Sequence, residues 1–278
     1  MKTGTSERPD LPIAVVIGAG GMGMSTARRL GQTHRIVLAS LSASKMAQRE
    51  AALREDGIDA VGVQCDVTDA ASVARLADFV AARGSLRTLA HVAALSPSMG
   101  DWRTLLNVDL IGAARMECAM LEIAPPGGAA VFVSSIAGHR AAPSPEVIAL
   151  LDDPLAPDFL ERLEAEVQEA AHSSLAYSLS KFAVNRMCRR RAAAWGAKGA
   201  RIVSVSPGLI ATPMGALEID KQPEIILGLL RATPLSREGT MMETANAIEF
   251  LASDRASFIT GCDLLVDGGL TAAMENRS

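Results

Sequence analysis

Tyr177 is the only tyrosine in the 278-residue chain, and Lys181 follows it four residues later. On a helix this spacing puts both side chains on one face, a turn apart. A phenol beside an ammonium can act as an acid–base pair; a half-buried tyrosine next to a solvated lysine is the plainer alternative. A second group of residues points to phosphate. The apolar run Ile13–Ile17 leads straight into Gly18-Ala19-Gly20-Gly21-Met22-Gly23, and a stretch of helical period follows. This is G-x-G-x-x-G between strand and helix, a dinucleotide fingerprint in its proper setting. Gly18 permits the tight turn, Gly20 lets backbone approach a pyrophosphate, and Gly23 lets helix and strand pack closely. The helix start, with Met22 and Gly23, offers free N–H groups and a positive dipole end to the phosphates.

The choice between the two nicotinamide dinucleotides rests on the end of the second strand. An NAD site usually carries a carboxylate there, about 20 residues after the first glycine, to hold the ribose 2′-hydroxyl. This chain has Ser40, followed by Leu41, Ser42 and Lys45. Hydroxyls and a nearby lysine suit a 2′-phosphate. NADP(H) is therefore favoured over NAD(H), although Ser40 is compatible with either.

The elements that must position these residues can be read from the hydrophobic pattern. Seven short apolar runs read as strands: 13–17, 35–39, 60–64, 86–92, 129–134, 201–206 and 262–266. Several lack polar alternation, as strands covered on both faces do. Helical periods fill the gaps near 23–31, 43–56, 69–83, 102–123, 175–197 and 242–252. The alternation predicts an α/β fold: a single-domain, doubly wound, seven-stranded parallel sheet of Rossmann type with helices on both faces. The domain is expected over 11–270, with tails at 1–10 and 271–278. One insert, 139–174, breaks the rhythm; it carries four prolines and then an acidic stretch of helical period, so two short helices are expected there.

Composition excludes several classes. A net charge of −4 gives no electrostatic footprint for nucleic acid. The four cysteines are scattered without a C-x-x-C pair, so neither a metal site nor a disulfide framework is suggested. With no signal peptide and no apolar run of membrane length, a cytoplasmic protein with no membrane contact is expected.

Further segments, taken together with Tyr177 and Lys181, resemble the short-chain dehydrogenases/reductases with their Y-x-x-x-K active site. Val133-Ser134-Ser135-Ile136-Ala137-Gly138 is similar to the family's serine strand. Ser206 to Met214 is similar to its nicotinamide loop, and Val266-Asp267-Gly268-Gly269 to its C-terminal signature. The resemblance implies hydride transfer between a nicotinamide cofactor and a small-molecule alcohol or carbonyl. Tyr177 would be the general acid–base. An unperturbed phenol has a pKa of about 10, and the charge of Lys181 would favour the phenolate. Lys181 would also hold the nicotinamide ribose, and Ser135 would polarise the substrate oxygen. Asp66 and Val67 would meet adenine; Pro207, Gly208, Ile210 and Thr212 would fix the nicotinamide carboxamide. A homodimer or homotetramer is implied as well.

The chain also departs from the family. Asp109 stands where the family has a catalytic asparagine, and it adds charge near Lys181. Val92-Ala93-Ala94 replaces N-A-G, with Ala93 and Ala94 keeping the backbone path past the cofactor. The interval from Ser135 to Tyr177 is 177 − 135 = 42 residues, far above the family's usual spacing. Its long insert is similar to that of the 3α-hydroxysteroid dehydrogenase/carbonyl reductase branch, which suggests a bulky apolar substrate. The region 214–231 would bind substrate. A catalytically silent nucleotide sensor on the same fold is the alternative that Asp109 keeps open.

Overall fold

A computed structural model of the chain describes residues 11–276. The expected tail at 1–10 lies outside the described residues. The first half runs β1 (Ile13–Ile17), α1 (Gly21–Leu30), β2 (Arg35–Ser40), α2 (Ala43–Glu55), β3 (Ala60–Gln64), α3 (Ala70–Ala81) and β4 (Leu86–His91). Then follow α4 (Trp102–Leu106), a π-helical turn (Asn107–Ile111), α5 (Gly112–Glu122), β5 (Ala129–Val133) and α6 (Ile136–Arg140). The insert supplies α7 (Pro145–Leu151) and α8 (Phe159–Val167). The chain continues through α9 (Ser173–Ala197), β6 (Arg201–Pro207), α10 (Pro213–Lys221), α11 (Pro223–Ala232), α12 (Met241–Ala252), β7 (Asp263–Val266) and α13 (Leu270–Glu275).

The seven strands pair in the order β3-β2-β1-β4-β5-β6-β7, all parallel. β1, β5 and β6 are buried along their whole length, which explains the unbroken apolar runs of β1 and β5. Alternate residues feed two cores. Val15, Val37, Leu89, Phe132 and Ile202 face α3, α5 and α9. Val16, Leu38, Ala90, Val131 and Val203 face α1, α2 and α12. The strand order reverses between β1 and β4, so the crevice where such sheets bind ligands opens beyond Ile17 and His91.

The insert forms a third core on the outer side of α4 and α9. Val147, Leu151, Phe159 and Leu163 pack there against Leu105, Leu106, Ala176, Leu179 and Ala183. Ser144 caps α7 by accepting from Val147 N, with Pro145 opening the helix. Arg186 of α9 forms two hydrogen bonds to Asp152 just after α7, at 2.5 and 2.8 Å. The insert thus supports the two elements that carry Asp109, Tyr177 and Lys181.

Two expectations need correction. The single helix over 102–123 is interrupted at 107–111 by the π turn, which inserts a residue into the helical ladder at Asp109. The assignment of 271–278 as a tail also fails for 271–275, which belong to α13. The Asp267 carboxylate accepts from Gly269 N and Thr271 N, nucleating this helix, and Leu270 is fully buried. The second strand gains Ser40 and the sixth gains Pro207, whereas the last begins at Asp263 rather than Cys262.

Candidate active site

Tyr177 and Lys181 lie on one face of α9, with Lys181 Nζ 5.5 Å from the centroid of the Tyr177 ring. Tyr177 is partly open, whereas only 2% of the Lys181 surface is exposed. Its ammonium donates to Val133 O at 3.4 Å, at the end of β5. In return, the Ser134 hydroxyl donates to Lys181 O at 2.8 Å. The end of β5 and the middle of α9 are therefore locked together beside Ser135.

Ser135 is the N-cap of α6, and its Oγ accepts from Ala137 N at 3.2 Å. Thr212 has the same role at α10, accepting from Gly215 N at 2.8 Å. In both residues the helix uses a lone pair of the hydroxyl and leaves the proton available for an external acceptor. This is what polarising a substrate oxygen or holding a carboxamide oxygen requires.

Asp109 is buried on the π turn. Its Oδ1 accepts from Leu95 N at 2.8 Å, and its Oδ2 lies 3.8 Å from Lys181 Nζ with no hydrogen-bond partner. Burial raises its carboxyl to about 6, against the opposing pull of Lys181 and the Leu95 N–H. His91, at the end of β4, is equally enclosed and stacks on Phe132 at 5.3 Å. Burial, with the charge of Lys181 second, lowers its pKa to about 3, so the ring is neutral. It is a core histidine.

The glycine loop makes a close turn from β1 into α1. Gly18 has φ +101°, and a Cβ there would lie 2.8 Å from Ala93 N. A Cβ on Gly23 would meet Gly18 O at 1.8 Å, so α1 starts in direct contact with the loop. Gly20 caps α1, and a Cβ there would meet nothing within 4 Å. The space in front of Gly20 is bounded by the start of α1 and suits a pyrophosphate. Met22 is half-buried and packs on the core beneath α1. Ala93 and Ala94 are half-buried where β4 ends.

The remaining expected cofactor residues line the same edge of the sheet. Ser40 ends β2, and Ser42 caps α2 by accepting from Lys45 N at 3.4 Å. Asp66 Oδ1 accepts from Thr68 N and Thr68 Oγ1, which fixes the turn after β3. Val67 is buried against Gly112. Pro207 ends β6; Gly208 lies so close to β7 that a Cβ would be 2.8 Å from Asp267 Cα. Ile210 is held by a bridge to Gly239. The residues present fit a nicotinamide dinucleotide along this edge.

The comparisons with known proteins agree with this geometry. A family model described as "short chain dehydrogenase" matches residues 12–147, and one described as "Enoyl-(Acyl carrier protein) reductase" matches 163–271. The cis-4-hydroxycyclohexanecarboxylate dehydrogenase of Sinomonas cyclohexanicum is 34% identical over 272 residues, covering 94% of this chain and 96% of that protein. The chain belongs to the short-chain dehydrogenase/reductase family. The 3-alpha-hydroxysteroid dehydrogenase/carbonyl reductase of Comamonas testosteroni is 30% identical over 237 residues, 78% of this chain and 90% of that protein. The crystal structure of gox2181 superposes with a TM-score of 0.76 at 27% identity, covering 95% of this chain and 96% of the other. As a short-chain dehydrogenase/reductase, the protein is an oxidoreductase. Among the described residues no helix is long and apolar enough to cross a membrane.

One group of residues escaped the sequence reading. His139 bonds to Asp263 on β7, with Asn185 of α9 alongside. The available signal was Asn185 itself, one helical turn beyond Lys181 on the face that carries Tyr177.

Proposed function

We propose that this protein interconverts a secondary alcohol and a ketone, with Tyr177 as general acid–base and NADP(H) as the preferred cofactor. The observation that carries this reading is the placement of Tyr177 beside the buried ammonium of Lys181, which is tied to the end of β5 just before Ser135. When bound, the nicotinamide supplies or accepts the hydride. Tyr177 delivers a proton to the substrate oxygen in reduction and takes it back in oxidation. The positive charge of Lys181 stabilises negative charge on the phenol oxygen and can donate to ribose hydroxyls. The Ser135 O–H donates to the substrate oxygen where charge develops. Thr212, Ile210, Pro207 and Gly208 orient the carboxamide end. Gly18, Gly20, Met22 and Gly23 hold the phosphates, and Asp66, Val67, Ala93 and Ala94 line the adenosine side.

The cofactor preference rests on Ser40 and Ser42, where no carboxylate opposes a 2′-phosphate. Asp109 is assigned to the acid–base group through its charge on Lys181. A bulky apolar substrate is supported by α10 and α11, which leave Leu217, Ile225 and Leu227 uncovered. Glu218 and Lys221 of α10 bond to Ser98, which ties α10 to the loop that leaves β4 at the crevice.

The test is titration with NADPH and NADH, followed by a screen of cyclic, steroidal and polyol-derived ketones for loss of nicotinamide absorbance. Ketone-dependent oxidation of the tighter-binding cofactor supports the reading. Tight binding with no turnover on any class favours the silent nucleotide sensor.

A further inference from the structure

Ser135 is the cap of α6, so the direction of its hydroxyl depends on how α6 is held. α6 has only five residues, too few to hold a place without tertiary contacts. Two of those contacts are on α9. The Ser134 hydroxyl donates to Lys181 O at 2.8 Å. Gly138 rests on the backbone of α9, where a Cβ would lie 2.7 Å from Lys181 C and 2.8 Å from Phe182 N. Both contacts are to the same short stretch of α9, and the Ser134 N–H, which donates to Val205 O at 2.7 Å, ties only the start of the segment to the sheet; none of these three holds the last turn of α6.

A fourth contact goes elsewhere. His139 Nε2 lies 2.7 Å from Asp263 Oδ2 on β7, the last strand of the sheet. The Asp263 side chain is only 2% exposed, and its Oδ1 has no hydrogen-bond partner. A carboxylate so enclosed depends on His139, because losing the imidazole would leave it unpaired away from water. Asn185 stands beside the pair, its amide 3.4 Å from His139 Nε2 and 3.5 Å from Ser206 Oγ. Tyr177, Lys181 and Asn185 recur at intervals of four along α9, so one helix face meets the acid–base pair at one end and this tie at the other.

We propose that His139 is a positioning residue for Ser135: its bond to the buried Asp263 anchors the last turn of α6 to the sheet and with it sets the direction of the Ser135 O–H toward substrate. The inference rests on the catalytic reading of Ser135. It assigns a use to two residues and explains why a carboxylate is buried in an outer strand.

The experiment compares His139→Leu, His139→Gln, Asp263→Asn and Ser135→Ala, with the double variant Ser135→Ala/His139→Leu, in the full-length protein. Turnover, cofactor affinity and hydrogen exchange over 135–141 are measured. The expected result is a loss of kcat of at least about tenfold in His139→Leu, with cofactor affinity unchanged and faster exchange over 135–141. His139→Gln, whose amide can still donate to Asp263, should recover most of the loss. Asp263→Asn keeps the volume and serves if His139→Leu does not fold. In the Ser135→Ala background His139→Leu should cost nothing more, because there is no hydroxyl left to aim. Wild-type kcat in His139→Leu, or a loss that adds in full to that of Ser135→Ala, overturns the proposal. Unchanged turnover in Ser135→Ala overturns the catalytic reading of the serine itself, and the positioning role with it.

Discussion

Lys181 Nζ and Asp109 Oδ2 face each other across 3.8 Å with both side chains closed to solvent, a charge pair held just beyond hydrogen-bond reach. Burial raises the Asp109 carboxyl to about 6, from an ordinary value of 3.8. Between those two values the unfolded chain has lost the proton and the folded chain keeps it. Stability therefore falls as pH rises through this window, and the cost, on the order of 3 kcal/mol, is complete above about pH 6. Asp109→Asn preserves the acceptor for Leu95 N and removes the charge. It should raise the melting temperature at pH 8 and give no gain at pH 4. An equal gain at both would show that charge is not the cause. The same variant should change the kinetics. Ionised Asp109 offsets the charge of Lys181, which weakens support for the Tyr177 phenolate. Wild-type kcat/KM should show an inflection near 6 that Asp109→Asn lacks, and alcohol oxidation by the variant should rise at lower pH.

Tyr177→Phe keeps the ring and its packing while removing the only exchangeable proton at that position. Turnover should fall by at least about 100-fold with cofactor affinity preserved. Retained turnover would assign the proton to another group, with Ser135 next in line.

Ser40→Asp places a carboxylate at the end of β2, where a 2′-phosphate would lie. Affinity for NADPH should drop by at least about tenfold, or 1.4 kcal/mol, while NADH is held as well or better. Equal binding of NADPH by both proteins would remove Ser40 from the 2′ site.

Phe159 is a fully enclosed anchor of the third core, yet it touches neither the glycine loop nor the nicotinamide loop. Phe159→Ala should cost about 3–5 kcal/mol in unfolding free energy, the usual range for emptying such a site. A loss below about 1 kcal/mol would mean that the insert is a loosely attached cover rather than part of the support of α4 and α9.

The sheet was legible because β1 and β5 are apolar throughout and the glycine loop marks its switch point. Tyr177 and Lys181 were legible because their spacing matches a helical turn. Local pattern could not show the π turn at Asn107–Ile111, since its residues fit an ordinary helix and the insertion is visible only in the hydrogen-bond ladder. The helix at Leu270–Glu275 was missed because its start is made by the Asp267 side chain inside a segment read only as a terminal signature. The tie between His139 and Asp263 joins residues 124 positions apart, and nothing in either neighbourhood announces the other.

The three glycines of the fingerprint give a last prediction, because the structure separates their roles. A methyl at Gly23 would meet Gly18 O at 1.8 Å, and one at Gly18 would press on Ala93 backbone at a φ of +101°. Neither neighbour is a flexible side chain that can move aside. Gly18→Ala and Gly23→Ala should therefore lower the melting temperature even without cofactor. At Gly20 a methyl meets no protein atom within 4 Å, and the backbone is in an ordinary extended conformation. Gly20→Ala should leave the melting temperature of the free protein nearly unchanged, since the reduced freedom of the unfolded chain is offset by alanine being a poorer helix N-cap than glycine. It should nevertheless weaken dinucleotide binding, because the methyl occupies the space that a pyrophosphate needs. Thermal melts with and without NADPH read both effects in one experiment: the cofactor-induced shift should shrink in Gly20→Ala while the baseline stays fixed. A full shift in that variant would place the phosphates away from Gly20 and move the cofactor reading to the later N–H groups of α1.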